Sequence, residues 1–232
     1  MGSGRNILLV GDSINHQIQW TFMNHLMTNF SDNGWSMSKV RSTQGEEVCG
    51  DVLKNKGFNI SWVRNDRLSP IESVQDAPGF NVYQWPWLDH LQEWNIKILI
   101  LNRGAHYESD QGYAKSLLII FPILRTRFPH LIVLYRNTPP GHVNCTSYSK
   151  PLKERQPPAE LPHHWGDFQA QNEVAKHIVE RAGYVYMDVD SMLSLRPDGH
   201  HRADDCLHYC IPGPLDVVVQ LFYNILTLIP QH

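Results

Sequence analysis

Three side chains from the two ends of the chain carry the chemistry of a serine acyl-transfer site. Ser13 lies in a Gly-Asp-Ser motif directly after a short apolar run, whereas Asp205 and His208 lie near the other end of the chain. A serine hydroxyl becomes a good nucleophile beside a base, and an imidazole base needs a carboxylate that fixes its tautomer and stabilises its positive charge. The pattern predicts a nucleophile at Ser13, with Asp205 and His208 supplying the base and its partner. The competing interpretation is that Asp12 or Ser13 only caps the following helix.

The segment that contains Asp205 and His208 is also compatible with a metal site. Residues 200–210 read HHRADDCLHYC, and His, Asp and Cys are ligands that zinc accepts. The Cys-x3-Cys pair has no second ligand cluster at a standard zinc spacing, so we favour the acyl-transfer interpretation and expect neither a metal ion nor an organic cofactor. Cys206 and Cys210 are then expected to anchor the segment through disulfides whose partners the sequence leaves open.

Apolar runs alternating with helical spacing predict the elements that position these residues. Ile14, Ile18, Phe22 and Leu26 recur every four residues directly after the first apolar run, so a strand over 5–10, a tight turn and a helix are expected there. The other predicted strands are 60–63, 96–101, 131–135 and 184–188, and the other predicted helices are 111–128, bent near Pro122, 167–181 and 215–228, with a short aromatic-rich helix between Trp85 and Trp94.

This alternation predicts one α/β domain over residues 1–232. Strand-helix-strand units connect by right-handed crossovers, which gives a parallel sheet with helices on both faces, a three-layer α/β/α sandwich. Ligands bind such folds in the crevice at the carboxyl ends of the strands. The polar segments that follow predicted strands, and therefore meet in that crevice, are residues 11–13, 102–106 and 136–138 together with Asp188.

Three sequence blocks together resemble a known family. Residues 11–13 (GDS), 102–107 (NRGAHY) and 205–213 (DCLHYCIPG) occur in an order and at a spacing that span almost the whole chain. They resemble the blocks of the PC-esterase group of SGNH proteins, and within it the chain is most similar to the trichome birefringence-like polysaccharide O-acetyltransferases. The resemblance implies a flavodoxin-like SGNH fold. Two positions depart from the plant pattern, because His16 stands where those proteins show Arg and Tyr209 where they show Trp.

The resemblance also implies a role for each block. Ser13 is expected to be acylated, His208 to act as general base and then general acid, and Asp205 to orient His208. The backbone N–H of Ser13, the side chain of Asn102 and the backbone of Gly104 are expected to hold the oxyanion. This agrees with the need of an acyl-transfer intermediate for donors aimed at its new negative charge. The alternative for Asn102 is an amide that caps a loop.

Three further residues are predicted to contact the substrate. Arg136 and His142 lie in residues 135–142 (YRNTPPGH), which fit a family loop lining the crevice, and His106 lies in the middle block. Their structural alternatives are a surface ion pair for Arg136, a turn position for His142 and a core position for His106. The better candidates for stacking against sugar rings are Trp85, Trp87, His163, His164 and Trp165.

The expected reaction is O-acetyl transfer to a carbohydrate. By the resemblance, Ser13 takes an acetyl group from a donor and passes it to a polysaccharide or glycan hydroxyl, so an acetyl donor and a carbohydrate acceptor are the expected partners. A carbohydrate O-acetylesterase with the same residues is the closest alternative. A polysaccharide-binding protein without catalysis is the other, and the set of Ser13, Asp205 and His208 argues against it.

Composition and charge argue against two classes of partner. Lys and Arg number 20 against 23 Asp and Glu, and no basic run with interleaved aromatics occurs, so nucleic acid is not an expected partner. No uninterrupted apolar stretch approaches the roughly 20 residues that a bilayer span requires, so no membrane span is expected.

Sequons and cysteines favour the secretory pathway. Asn29, Asn59 and Asn144 each begin an Asn-x-Ser/Thr triplet, and the 4 cysteines form an even set that allows two disulfides. We therefore predict the Golgi lumen or the extracellular space. Chance sequons and reduced thiols are the alternative.

Overall fold

Strands and helices alternate along most of the chain, as the apolar pattern predicts. The computed structural model describes residues 6–29, 36–41, 47–55, 58–71, 75–76, 82–106, 108–157, 164–202 and 205–229. The strands are β1 (Asn6–Gly11), β2 (Ser36–Arg41), β3 (Glu47–Asn55), β4 (Phe58–Arg64), β5 (Gln75–Asp76), β6 (Tyr83–Gln84), β7 (Ile96–Leu101), β8 (Ile132–Arg136), β9 (Val185–Met187), β10 (His200–Arg202) and β11 (Asp205–Tyr209). The helices are α1 (Ser13–Asn29), α2 (Leu88–Glu93), α3 (Asp110–Arg127), α4 (Phe168–Arg181), α5 (Val189–Leu193) and α6 (Leu215–Leu228).

A seven-stranded sheet in the order β2-β3-β4-β1-β7-β8-β9 forms the central layer. Neighbouring strands from β4 to β9 in this order are parallel, whereas β2 and β3 pair antiparallel with each other and β3 with β4. The predicted α/β fold is confirmed, and the prediction of a parallel sheet is right for five strands and wrong for the β2–β3 edge. The sequence signal at that edge is weak because residues 36–39 are all exposed, so β2 lacks the apolar alternation of a half-buried strand.

The central strands β1 and β7 are almost wholly apolar because helices cover both of their faces. Successive side chains of a strand point to opposite faces, so each strand contributes to two cores. One core contains residues of α2, α3 and α4, and the other contains residues of α1, α5 and α6. The residues of β1 and β7 are Leu8, Val10, Ile96, Leu99 and Leu101 in the first core and Ile7, Leu9, Ile98 and Ile100 in the second.

The helix predictions agree closely with the structure. The predicted helices 111–128, 167–181 and 215–228 correspond to α3, α4 and α6, and Pro122 lies inside α3. The aromatic-rich segment forms only the short helix α2, which ends before Trp94. The order of elements therefore delivers the loops after β1, β7 and β8 to one edge of the sheet, as predicted.

A fully buried ion pair joins the turn after β1 to the end of β8. Arg136 Nη2 donates to Asp12 Oδ1 at 2.8 Å, and the two side chains are 0% and 1% exposed. Arg136 Nε also donates to Asn15 Oδ1 at 2.6 Å, and Asn15 Nδ2 donates to Val10 O at 2.9 Å. Because water reaches neither charge, each depends on its partner and on these hydrogen bonds for stabilisation. The pair therefore ties the first turn of α1 to β8.

Arg136→Met is expected to lower the free energy of unfolding by about 3–5 kcal/mol, because the substitution leaves the Asp12 carboxylate buried without its partner. The matched control is Arg127→Met, whose side chain is 52% exposed and faces Asp89 at 3.5 Å. A surface pair of this kind contributes roughly 0–1 kcal/mol. Urea denaturation followed by circular dichroism measures both values. Equal losses in the two variants would contradict the role given to the buried pair.

Candidate active site

The candidate nucleophile Ser13 begins α1 directly after a tight turn at the carboxyl end of β1. Gly11 has a φ of +150°, and a Cβ at this position would lie 2.7 Å from the backbone O of Asn102. Glycine is therefore required for the close approach of the two loops. Asp12 Oδ1 accepts a hydrogen bond from the N–H of Ile14 at 3.0 Å. Capping is thus confirmed for Asp12, and it leaves the hydroxyl of Ser13 at the sheet edge.

The structure brings Ser13, His208 and Asp205 into one chain of hydrogen bonds. Ser13 Oγ lies 2.6 Å from His208 Nε2, and His208 Nδ1 lies 2.8 Å from Asp205 Oδ2. A carboxylate only accepts, so Nδ1 carries the ring proton and Nε2 is left to accept from the Ser13 hydroxyl. Residues separated by 195 positions thus have the geometry of a nucleophile, its base and the group that orients the base.

The carboxylate of Asp205 is held in its ionised form. Burial acts to raise its pKa, but the backbone N–H of His208 at 3.1 Å and the imidazole of His208 outweigh burial, and the pKa of Asp205 lies below its ordinary value. The carboxylate therefore remains negative when the neighbouring imidazole takes up a proton. The side chains of His208 and Asp205 are 29% and 37% exposed, so a substrate can reach them from solvent.

A disulfide between Cys145 and Cys206 anchors β11 to the loop that follows β8. The backbone N–H of His142 donates to the O of Cys206 at 3.0 Å, which links the same two segments a second time. The expected anchoring through Cys206 is confirmed. The expectation for Cys210 is wrong, because Cys210 is a free thiol. The side chain of Cys49 lies outside the described residues.

Asn102 and Gly104 follow β7 in the loop that is predicted to hold the oxyanion. Asn102 is fully buried, and its Nδ2 lies 3.4 Å from both Arg136 O and Thr138 Oγ1, near the outer limit of a hydrogen bond. Its Oδ1 has no hydrogen-bond partner within the described part of the chain. Gly104 has a φ of +146°, and a Cβ there would collide with Thr138 Oγ1. The amide is therefore loosely held beside the turn of Ser13, and its role at the oxyanion stays a prediction.

Arg136 and His142, which were predicted to contact substrate, are both buried and bonded inside the protein. Arg136 is wholly buried and bound to Asp12, so it is not a surface ion-pair residue. His142 is 1% exposed, with Nε2 2.9 Å from Ser194 O and Nδ1 2.7 Å from His200 Nε2. The hydrogen-bonding groups of both side chains are used inside the protein, and their contact with substrate stays a prediction.

His106 is partly buried beside two charged groups at and just after the end of β4. Its Nε2 is 3.4 Å from Asp66 Oδ1 and 3.4 Å from Arg64 Nη2. Burial raises the pKa of Asp66, although His106 and Arg64 act in the opposite direction. His106 is therefore not a core residue, and its contact with substrate stays a prediction.

Most of the side chains predicted to stack against sugar rings belong to the core. Trp87 is 0% and Trp165 is 7% exposed, and Trp85 packs against the same core as Trp87. These predictions are wrong for Trp87 and Trp165, because poor periodicity in the sequence does not distinguish a buried loop residue from an exposed one. His164 has a side chain that is 52% exposed. His163 lies outside the described residues.

Within the described residues, no three His, Cys, Asp or Glu side chains are grouped as a metal site requires. No helix in this part of the chain has the length and apolar character needed to cross a bilayer.

Three residues around the site make contacts that the sequence analysis missed. Asn15 binds the guanidinium of Arg136, Thr138 Oγ1 donates to Arg103 O at 3.0 Å, and His200 Nδ1 lies 2.9 Å from His208 O. No local motif marks them, because each partner comes from another element of the fold. Their importance appears only when those elements are packed together.

Solved structures with a similar fold include two enzymes that act on acetyl groups. The periplasmic domain of a Salmonella ser. Paratyphi A lipopolysaccharide acetyltransferase superposes with a TM-score of 0.58 and 12% identity, over 97% of this chain and 85% of that one. A peptidoglycan O-acetylesterase superposes with a TM-score of 0.56 and 10% identity, over 97% of this chain and 91% of that one. At these identities the likeness shows the fold, which is the α/β fold of SGNH hydrolases.

The chain also has relatives by sequence. A family profile described as the PC-Esterase, a GDSL/SGNH-like acyl-esterase family found in Pmr5 and Cas1p, matches residues 123–225. The proteins trichome birefringence-like 42 and 43 of Arabidopsis thaliana are 22% and 27% identical over 96% and 95% of this chain and 71% and 69% of their own lengths. Xylan O-acetyltransferase 2 of Oryza sativa subsp. japonica is 30% identical over 36% of this chain and 21% of its own length. These matches confirm the predicted resemblance to the PC-esterase and trichome birefringence-like proteins, and they support a serine-type acyl-enzyme.

Proposed function

We propose that the protein is a carbohydrate O-acetyltransferase that works through an acetyl-enzyme on Ser13. The observation that carries this proposal is the chain of hydrogen bonds from Ser13 Oγ through His208 to Asp205, at 2.6 and 2.8 Å. A hydroxyl, an imidazole and a carboxylate in this order activate a nucleophile, whereas a site that only binds a polysaccharide gains nothing from the arrangement.

In the first half-reaction, Ser13 Oγ forms a bond to the carbonyl carbon of the acetyl donor while its proton passes to His208 Nε2. Asp205 stabilises the imidazolium that results. The negative oxygen of the tetrahedral intermediate is stabilised by the N–H of Ser13, the amide of Asn102 and the N–H of Gly104, near the positive end of the α1 dipole. His208 then gives its proton to the departing group as the bond from that group to the carbonyl carbon breaks.

The second half-reaction repeats these steps with a sugar hydroxyl. His208 takes the proton of the acceptor hydroxyl, whose oxygen attacks the acetyl carbonyl carbon, and it then returns a proton to Ser13 Oγ as the acyl-enzyme bond breaks. The names of the relatives support a carbohydrate acceptor, because one of them is a xylan O-acetyltransferase.

Carbohydrate O-acetylesterase activity is the second candidate, and the exposure of the site favours it. The side chains of His208 and Asp205 are 29% and 37% exposed, so water can reach an acetyl group on Ser13. A transferase must bring the acceptor hydroxyl to the acyl-enzyme faster than water arrives there. The same residues serve both reactions, and only the second nucleophile differs.

We also infer that the protein functions in the secretory pathway, in the Golgi lumen or outside the cell. The disulfide between Cys145 and Cys206 supports this location, since such bonds persist in oxidising compartments. Among the sequons, Asn144 lies exposed in a turn and suits glycosylation, whereas Asn59 lies within β4 and is partly buried.

Ser13→Ala is expected to lower kcat for an aryl acetate on the order of 10⁵-fold, because it removes the nucleophile. The melting temperature should stay close to that of the parent protein, since the Ser13 side chain is partly exposed. Ser149→Ala, at an exposed position, is the matched control and should keep full activity. Turnover is followed by absorbance of the released phenol. Parent-level turnover in Ser13→Ala would refute the acyl-enzyme mechanism.

Asp205→Asn is expected to lower kcat by about 10³–10⁴-fold, because an amide favours the wrong tautomer of His208 and does not stabilise its positive charge. Asp89→Asn serves as the control, since the Asp89 side chain is 74% exposed on α2. Initial rates at saturating aryl acetate measure the effect. A rise in KM with kcat unchanged would show that Asp205 binds substrate and does not act through His208.

Transferase and esterase activities are separated by one mass-spectrometric experiment. The parent protein and Ser13→Ala are incubated with an aryl acetate as donor and with xylo-oligosaccharides, either free or already acetylated. Transferase activity is expected to add the mass of an acetyl group to the free sugars in the parent reaction alone. Loss of that mass from the acetylated sugars, without any gain on the free ones, would favour the esterase.

A further inference from the structure

Two histidines lie behind the proposed base and outside the catalytic chain. His142, in the loop after β8, faces His200, the first residue of β10, with 2.7 Å between His142 Nδ1 and His200 Nε2. The other nitrogen of each ring meets a backbone carbonyl: His142 Nε2 lies 2.9 Å from Ser194 O, and His200 Nδ1 lies 2.9 Å from His208 O. We call His142 and His200 the histidine pair.

The three contacts of the histidine pair require three protons. A carbonyl oxygen only accepts, so His142 Nε2 and His200 Nδ1 must each carry a proton to bind Ser194 O and His208 O. A neutral imidazole has one N–H, so two neutral rings would then turn bare lone pairs toward each other at the central contact of 2.7 Å. All three hydrogen bonds form together only when the pair holds one additional proton.

With two protons, the two outer hydrogen bonds exclude each other as long as the central hydrogen bond between the rings forms. If His200 Nε2 donates to His142 Nδ1, then His200 Nδ1 has no proton for the carbonyl of His208. If His142 Nδ1 donates to His200 instead, then His142 Nε2 has no proton for the carbonyl of Ser194. The neutral pair therefore binds either the His208 carbonyl of β11 or the Ser194 carbonyl just after α5. The pair with one additional proton binds both carbonyls.

The surroundings disfavour the additional proton at neutral pH. Burial lowers the pKa of His200 to about 4, against the opposing effect of the His208 carbonyl. Burial also lowers the pKa of His142, against the carbonyl of Ser194. The titratable and charged groups that face the pair are Arg155 and Asp198 beside His142, and Asp205, His208, Tyr209 and Cys210 beside His200.

We propose that His200 is a positioning residue for His208, and that the proton held by the histidine pair decides whether His200 binds the His208 carbonyl. This inference rests on the proposed function of His208 as general base. The tethered carbonyl belongs to the residue whose Nε2 lies 2.6 Å from Ser13 Oγ, so a shift of the β11 backbone changes that distance directly. A misplacement of about 1 Å at a reacting group costs on the order of 100-fold in rate.

Two substitutions of His200 separate the tether from packing. His200→Leu removes the donor to the His208 carbonyl, whereas His200→Asn keeps one, because the amide nitrogen of Asn lies where Nδ1 of His lies. With an aryl acetate, kcat is expected to fall about 10- to 100-fold in His200→Leu with KM unchanged, and to return close to the parent value in His200→Asn. An equal loss in both variants, or none in His200→Leu, would overturn the proposal.

The pH dependence of kcat provides a readout that a packing role would not change. As the pH falls, the histidine pair takes up a proton and strengthens the tether, which opposes the loss of activity that protonation of any general base causes. On the acid side, kcat of the parent protein is therefore expected to fall less steeply with pH than a single ionisation predicts. His200→Asn donates at every pH, so its acid limb should follow a single ionisation. Acid limbs of the same shape in both proteins would contradict the tether.

Imidazole nitrogen NMR on the Ser13→Ala variant tests the proton count without any turnover. The ring signals of His142 and His200 are expected to change together in one step, on the acid side of the ordinary imidazole pKa, with uptake of one proton. Two independent titration steps would contradict a proton shared by the histidine pair. This test does not use the His200 variants, so it holds even if they fail to fold. Retained turnover in Ser13→Ala would instead refute the proposed function, and the NMR result would still decide the protonation of the pair.

Discussion

The buried ion pair between Asp12 and Arg136 is the constraint on which the geometry of the site depends. Asp12 immediately precedes the nucleophile candidate, and Arg136 ends β8, two strands away in the sheet, so the 2.8 Å contact fixes the first turn of α1 relative to the strand edge. Gly11 allows the same turn to touch the loop after β7. An ion pair without access to water has no alternative partner, so any displacement of the turn leaves a buried charge unsatisfied. The hydroxyl of Ser13 is thereby placed before any substrate binds.

The other half of the site is attached to this frame by a different set of links. Asp205 and His208 lie on β11, outside the seven-stranded sheet, where a two-stranded ribbon alone would be weakly held. The disulfide from Cys206 to Cys145 and the hydrogen bond from His142 to the Cys206 carbonyl hold one end of this ribbon. The contact of His200 with the His208 carbonyl holds the next residues. Ser13 is thus held by the buried core of the sheet. Asp205 and His208 are held by a segment whose anchoring contacts include the side chain of the titratable residue His200.

This asymmetry bears on the choice between transfer and hydrolysis in the proposed acyl-enzyme mechanism. The residues of the hydrogen-bonded chain are the same for either reaction, and they are partly open to solvent. The outcome then depends on how tightly the base is placed and on which hydroxyl occupies the space beside it when the acetyl-enzyme is discharged. Trp87 and Trp165 belong to the core, so neither offers a ring face to an acceptor.

The sequence by itself indicated the candidate reacting groups and determined most of the framework, because both depend on local patterns. The Gly-Asp-Ser turn, the Asp-x-x-His spacing and the apolar runs of β1, β7 and β8 each depend on residues close together in the chain. The tertiary structure alone decided that Arg136 and His142 are buried, that Cys206 pairs with Cys145, and that two antiparallel strands extend the sheet. Burial and hydrogen-bond partners are set by residues that meet only after folding, and a side chain such as Arg136 has the same chemistry whether it faces substrate or a buried carboxylate.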